Sequence, residues 1–200
     1  MIPHLTDDDR GQVGIGTLII FIALVLVAAV AAGVLVQTSG LLQAQAENTG
    51  QDAQSEVGNQ ISVVSATGTV ADSTDNVTQV DLVVKKSAGS DPIDLSQATI
   101  EYTSGGASAT LTHNNGVGVA NGENFTTSGI GGASDTIMSN NGDRITVTIS
   151  ANDIEGNGNA AEGLSPGNEA TLRIVDQSGA TTIYGVNVPD SVGGQTYVTV

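Results

Sequence analysis

The stretch RGQVGIGTLIIFIALVLVAAVAAGVLVQTSG, residues 10–40, decides the fold. From Leu18 to Val36 it runs for 19 residues without a charged or hydrogen-bonding side chain. A bilayer-spanning helix needs about 20 apolar residues, whereas an ordinary secretory signal has a basic start and a shorter apolar region. Three aspartates at 7–9 make this start acidic. The stretch therefore predicts a membrane span rather than a cleaved secretory signal.

The basic residues near this span predict its orientation. Arg10 precedes the span, and the next basic residue is Lys85. Lys and Arg are enriched on the cytoplasmic side of a span, while acidic residues have little influence. We therefore expect a cytoplasmic N-terminus and an outward C-terminal part.

The helical pattern continues past the apolar run. With Thr49 filling one place, apolar residues recur at spacings of three and four, the period of a helix, at Leu42, Ala46, Ala53, Val57, Ile61 and Val64. This pattern predicts one helix from about Val13 to about Val64, roughly 75 Å long. Ala28 with Ala32, and Ala29 with Gly33, form pairs of small residues four apart, which let helices approach closely. A single-pass membrane anchor with a helical stalk is the alternative, but in such a protein the apolar positions between Leu42 and Val64 would have no other helix to pack against.

The sequence RGQVGIGT at residues 10–17, followed directly by the apolar run, resembles the N-terminus of archaeal flagellins (archaellins), and the acidic leader resembles those of the halophilic type. The resemblance implies a pilin-like leader, residues 1–10, removed between Arg10 and Gly11 by a prepilin-type signal peptidase. It further implies transient membrane insertion, a membrane assembly platform, and a helical homopolymer that related archaellins can join.

Two departures refine the resemblance. Bacterial type IV pilins carry a glutamate five residues into the mature chain, where this chain has Ile15. That residue fits archaellins better than those pilins. The leader also lacks the lysines common in archaellin leaders, which leaves Arg10 as its basic residue.

The rest of the chain reads as β structure. Ile145–Ile149 alternates apolar and polar residues, as a half-buried strand does. The same alternation or β-forming composition occurs at 80–84, 100–102, 172–174, 181–188 and 195–200. Dipeptides that favour turns separate these segments: Asn115-Gly116, Asn121-Gly122, Gly131-Gly132 and Asn141-Gly142. We therefore predict an α+β chain, in which a polymerisation helix at 11–64 precedes an immunoglobulin-like β-sandwich at 65–200.

The composition limits the partners. The chain has 21 acidic and 5 basic residues and a net charge of −16. This charge excludes nucleic acid, whose phosphates need clustered Lys and Arg. It fits a protein adapted to molar salt, where the Debye length falls to about 3 Å and repulsion among carboxylates is short-ranged. An ordinary acidic secreted protein is the alternative.

Catalytic and metal signatures are weak, and no cofactor is expected. His113 is the one histidine after the leader, and no nucleophile elbow or cysteine occurs. Asp153, Glu155 and Asn157 resemble the start of a calcium loop, but Leu164 stands where the closing glutamate belongs. We read the segment as a solvated turn and assign no metal site.

Two sequons predict surface modification. Asn76-Val77-Thr78 and Asn124-Phe125-Thr126 fit the N-glycosylation pattern. Both lie in the part expected to be extracellular. Together with the resemblance to archaellins, which implies a structural filament subunit for swimming motility, the sequons predict that this subunit is glycosylated. An adhesion pilus subunit and a single-pass surface protein with a β domain are the alternatives.

Overall fold

The computed structural model describes residues 7–71, 74–114, 119–156 and 163–200. The chain forms two compact units, Met1–Gln51 and Asp52–Val200. Helix α1 spans Asp7–Gly58, and the short helix α2 spans Ala151–Glu155. The strands are β1 (Ile61–Val70), β2 (Val77–Lys86), β3 (Ile93–Asp94), β4 (Thr99–Ser104), β5 (Ser108–His113), β6 (Asn124–Ile130), β7 (Ile137–Met138), β8 (Arg144–Ser150), β9 (Glu169–Val175), β10 (Thr181–Asn187) and β11 (Tyr197–Thr199).

The end of α1 differs from the sequence prediction. The helix ends at Gly58 rather than at about Val64, and Ile61 and Val64 belong to β1. Glycine weakens a helix by about 1 kcal/mol relative to alanine, and Ile61 pairs with Lys86 across β1 and β2. Strand pairing thus outweighs the helical spacing, and the boundary predicted at 64/65 moves to 58–61.

Within the described residues, nine strands form one sheet in the order β10-β9-β4-β5-β6-β8-β2-β1-β11. Its two antiparallel halves join through a short parallel pairing of β5 with β6, at Thr112–Asn124 and His113–Phe125. Each half buries alternate residues, and both halves supply one hydrophobic core. The sheet therefore folds over as a sandwich whose two halves share one hydrogen-bonded sheet.

Side-chain hydrogen bonds also link the two edges of the folded sheet. Thr182 Oγ1 of β10 donates to the carbonyl of Ile61 at 3.0 Å, and Tyr184 OH donates to the carbonyl of Val200 at 3.1 Å. The prediction of a long helix followed by a β-sandwich is confirmed, as are strands at the predicted segments. Asn115-Gly116 lies outside the described residues. Helix α2 was not predicted.

Candidate assembly surface and modification sites

The surface of α1 is apolar around its whole circumference. Large apolar side chains from Val13 to Leu42 are 51–73% exposed within the chain. They include the continuous run at 18–36, which places them on every face of the helix. A helix that is apolar all round is normally covered by protein or lipid. Within the part of the chain that the structure describes, this helix is the one candidate membrane span.

The small residues of α1 are not required by packing inside the chain. Ala28, Ala29, Ala32 and Gly33 are all exposed. A Cβ added at Gly33 would meet no described atom within 4 Å beyond the adjoining helix backbone. Glycine there costs helix stability without an internal benefit. Close approach of another helix is a physical reason for small residues at these positions.

The hydroxyl groups at the ends of the apolar run are satisfied by the helix itself. Thr17 Oγ1 donates to the carbonyl of Gly14 at 3.0 Å, and Thr38 Oγ1 donates to the carbonyl of Leu35 at 3.1 Å. Such bonds to the preceding turn remove the need for water at a buried or lipid-facing hydroxyl. Both ends of the run can therefore enter an apolar environment.

The residues of the predicted processing site lie within α1. The described backbone is helical from Asp7 onward, so the bond between Arg10 and Gly11 falls in the first turn. Removal of residues 1–10 would leave Gly11–Gly58, a helix of 48 residues. The apolar surface is unaffected by such a cut.

The asparagines of the two sequons both lie at the start of a strand. Asn76 precedes β2 in the β1–β2 connection, where the preceding Asp75 has a φ of 59°. Asn124 is the first residue of β6. Its Nδ2 donates to Asn121 Oδ1 at 3.3 Å, and its Oδ1 accepts from Thr112 Oγ1 at 3.1 Å. Both asparagines are half-buried.

The two described residues of the weak calcium candidate lie on a helix rather than in a loop. Asp153 and Glu155 lie on α2, where residues two apart face different directions. Ser150 Oγ donates to Asp153 Oδ2 at 2.7 Å, and Tyr102 OH donates to Glu155 Oε1 at 2.7 Å. Asn157 lies outside the described residues. Among the residues described, no group of three His, Cys, Asp or Glu side chains is arranged to hold a metal.

His113 has a packing role in the sheet. Its ring meets the Phe125 ring edge-on, with centroids 5.4 Å apart, and its Nε2 lies 2.8 Å from Thr127 Oγ1. These contacts link β5 to β6 at the parallel pairing. The histidine thus helps to join the two halves of the sheet.

A cleft of about 730 Å³ was not foreseen from the sequence. The β1–β2, β4–β5 and α2–β9 connections line it, and its polar side chains include Asn76, Ser104, Glu155, Ser165 and Asn168. Burial, and then the bond to Glu155, raises the pKa of Tyr102 far above its ordinary value. The tyrosine therefore stays neutral and holds Glu155 at the cleft. The glycines at 105, 106, 163 and 167, which line the cleft, were the only feature of the sequence that could have indicated it.

Known proteins share this arrangement along most of the chain. The model of the archaeal-type flagellin family matches residues 11–186. Flagellin B2 of Halobacterium salinarum is 43% identical over 202 residues, with 100% of both chains covered. Flagellin A2 of Haloferax volcanii is 40% identical, with 98% of this chain and 97% of the relative covered. The structure described as the archaeal flagellum of Methanospirillum hungatei has a TM-score of 0.69 at 22% identity and covers 90% of this chain and 96% of that chain.

A long apolar N-terminal helix followed by a β-sandwich is the arrangement of archaeal flagellum subunits, a class of filament proteins. The chain belongs to the archaeal-type flagellin family. It is a structural subunit of the archaeal flagellum, an extracellular helical filament built from self-assembling flagellins, and not an enzyme. The motility interpretation of the sequence is thereby confirmed over the pilus and anchor alternatives.

Proposed function

We propose that this flagellin is made as a membrane precursor with its N-terminus in the cytoplasm, and that a prepilin-type signal peptidase cuts it between Arg10 and Gly11. Arg10 is the sole basic residue before Lys85, which supports this orientation. The match to the family model begins at residue 11, which supports this cutting position. A membrane assembly platform then receives the mature subunit.

After cutting, α1 leaves the bilayer and becomes part of the filament core. The exposed apolar surface of residues 13–42 carries this proposal, because water is an unfavourable environment for it on every face. The chain thus divides into a leader at 1–10, a polymerisation helix at 11–58 and an outer β domain from 61 to 200. Related archaellins with the same helix can enter the same polymer.

The small residues Ala28, Ala29, Ala32 and Gly33 form the closest contacts between helices in this core. Ala29→Phe adds a ring there, and overpacking a tight contact costs about 1–3 kcal/mol per subunit. Lipid tails yield to the ring, so the precursor should still insert in the membrane. We expect precursor in the membrane fraction and few or no filaments by electron microscopy.

Ala29→Ser is the matched control. Its side chain remains small, and its hydroxyl can bond to the preceding helical turn. We expect filaments of ordinary length from this variant. Ordinary filaments from Ala29→Phe would contradict helix packing at this position.

The outer domain carries N-linked glycans in this proposal. Asn76 and Asn124 both lie at strand starts, with side chains that are only half-buried. Transfer forms a bond between Nδ2 and sugar C1, releases one amide proton, and breaks the bond from C1 to a lipid-phosphate donor. Mass spectrometry of filament peptides tests occupancy at each site.

A further inference from the structure

The cleft described above lies directly beside one of the two sequons. Asn76 is among its lining residues, together with polar side chains from two other connections. Its volume of about 730 Å³ falls within the usual range of about 300–1,000 Å³ for small-molecule sites. A group attached to Asn76 therefore has a cavity of suitable size beside it.

Backbone hydrogen bonds fix Asn76 against one wall of this cleft. The next residue, Val77, exchanges two bonds of 2.9 Å with Leu164, which lines the cleft. A Cβ added at Gly163 would collide with the carbonyl of Val77, so these two segments lie in close contact. The sequon is thus held beside the wall at 163–165, which places a group on Asn76 next to that wall.

Another lining residue of the cleft, Glu155, presents a hydrogen-bond acceptor that is held in place. Glu155 Oε1 accepts from the buried Tyr102 hydroxyl at 2.7 Å. Its other oxygen, Oε2, lies beside Gly106, where an added Cβ would be 3.2 Å away. The glycine leaves space around this oxygen. A carboxylate accepts hydroxyl protons strongly, and sugars carry several such hydroxyls.

We propose that the first sugars of a glycan on Asn76 occupy this cleft, with Glu155, Ser104, Ser165 and Asn168 as hydrogen-bonding partners. The inference rests on the proposed glycosylation and adds the site where the glycan binds its own subunit. Weak contacts suffice, because attachment to Asn76 gives the sugar a high effective concentration at the cleft. The glycan holds together three connections that are far apart in sequence.

The glycan on Asn124 provides an internal comparison. Asn124 lies on β6 and bonds to Asn121 and Thr112 instead of lining this cleft. Thr78 and Thr126 complete the two sequons, so Thr78→Ala and Thr126→Ala remove them one at a time and keep both asparagines. Thr78→Ser retains the sequon and a hydroxyl, which in the wild type donates to the carbonyl of Thr69 at 3.2 Å.

Hydrogen–deuterium exchange of intact filaments at molar salt tests the proposal. Thr78→Ala should lose protection in peptides covering 103–107 and 163–169. Wild-type filaments from cells lacking the oligosaccharyltransferase should show the same loss, which excludes an effect of the substitution itself. Thr78→Ser and Thr126→Ala should exchange like the wild type.

Glycopeptide mass spectrometry separates the two ways in which the proposal can fail. If Asn76 carries a glycan and its loss leaves exchange at both peptides unchanged, the cleft is not its binding site, although the glycosylation stands. If Asn76 carries no glycan in wild-type filaments, both the glycosylation of Asn76 and this inference are wrong. If Thr78→Ser, which keeps the sequon, loses as much protection as Thr78→Ala, the loss results from the substitution in β2 rather than from the missing glycan, and the inference is wrong.

Discussion

The hydroxyl of Ser90 donates a hydrogen bond of 3.1 Å to the carbonyl of Gly58, the last residue of α1. The same Ser90 oxygen accepts from the backbone N–H of Gln60 at 3.2 Å. Asn59 Oδ1 accepts from the backbone N–H of Asp91 at 2.8 Å, and Lys86 Nζ donates to the carbonyl of Ser90 at 2.7 Å. The connection from β2 to β3 thus completes the hydrogen bonding that the helix end leaves open.

Ser90→Ala should destabilise this junction. It removes the buried hydroxyl that bonds to the Gly58 carbonyl and the Gln60 N–H. Because Gly58 and Gln60 are themselves exposed, we expect a cost of about 0.5–1.5 kcal/mol, the usual net value of a hydrogen bond. Thermal unfolding of filaments at molar salt measures the change. Ser87→Ala, at a half-exposed position of the same connection, is the control and should unfold like the wild type. Equal stability of the two variants would mean that the Ser90 hydroxyl contributes nothing.

Gly129→Ala should disturb the turn after β6. An added Cβ would collide with the carbonyl of Ala133 and come within 2.7 Å of the carbonyl of Ser134. Backbone atoms yield poorly, so we expect a loss of about 1–3 kcal/mol. Gly142→Ala meets no described atom within 4 Å and serves as the control. Similar unfolding temperatures for both variants would contradict the tight approach at Gly129.

The elements found from sequence are those that local pattern determines. The alternation of apolar and polar residues at Ile145–Ile149 shows which side chains face the core and which face away from it, and it predicted β8. The apolar run predicted most of α1 for the same reason. The Ser-x-x-Asp signature of Ser150 and Asp153 also marks a helix start and could have identified α2, whose N-terminal cap is Ser150.

The features missed depend on residues far apart in sequence. Val57, Ile61 and Val64 have helical spacing, but the pairing of β1 with β2 places Ile61 and Val64 in a strand. The parallel pairing of β5 with β6 and the cleft beside Asn76 likewise form between distant segments. No local pattern encodes these contacts.

Acid should weaken the turn before β8 through Asp143. Hydrogen bonds from the backbone of Asn140 at 2.7 Å and of Ser139 at 2.9 Å lower the pKa of Asp143 below its ordinary value. Because the pKa of Asp143 is lower in the folded state than the value of about 3.9 in the unfolded state, the ionised carboxylate stabilises the fold above about pH 3.9. This contribution to the free energy of unfolding is lost as the pH falls through the pKa of the folded state. Asp143→Asn should therefore lose less stability than the wild type on acidification below about pH 4.

Unfolding temperatures between about pH 2 and pH 7 test this pH dependence. Asp52→Asn removes the same charge from an exposed position on α1 and is the control for the loss of one negative charge. If Asp143→Asn loses as much stability in acid as the wild type does, the bonds from Asn140 and Ser139 do not contribute to the acid sensitivity.

Dilution of salt should loosen the filament from outside inward. Removal of three aspartates and Arg10 with the leader changes the net charge from −16 to −14 per subunit. At about 0.01 M salt the Debye length is about 30 Å, so outer domains repel their neighbours, while the apolar core is affected least. Electron microscopy and light scattering should show frayed filaments at pH 7 and partial recovery near pH 4.5, about where carboxylates begin to be protonated. Equal integrity in molar and dilute salt at pH 7 would show that the acidic surface does not govern assembly.

The apolar helix should stay in the assembled subunit after the leader is removed at Arg10. Intact-mass analysis and N-terminal sequencing of purified filaments decide whether it does. We expect Gly11 as the first residue of every assembled copy of this chain, with α1 present from that residue onward. Arg10→Glu, which removes the basic residue at the cut, should leave uncut precursor in the membrane and no filaments. Filaments whose subunits begin at Met1, or at a residue beyond the apolar run, would show that the helix is not processed and retained in this way.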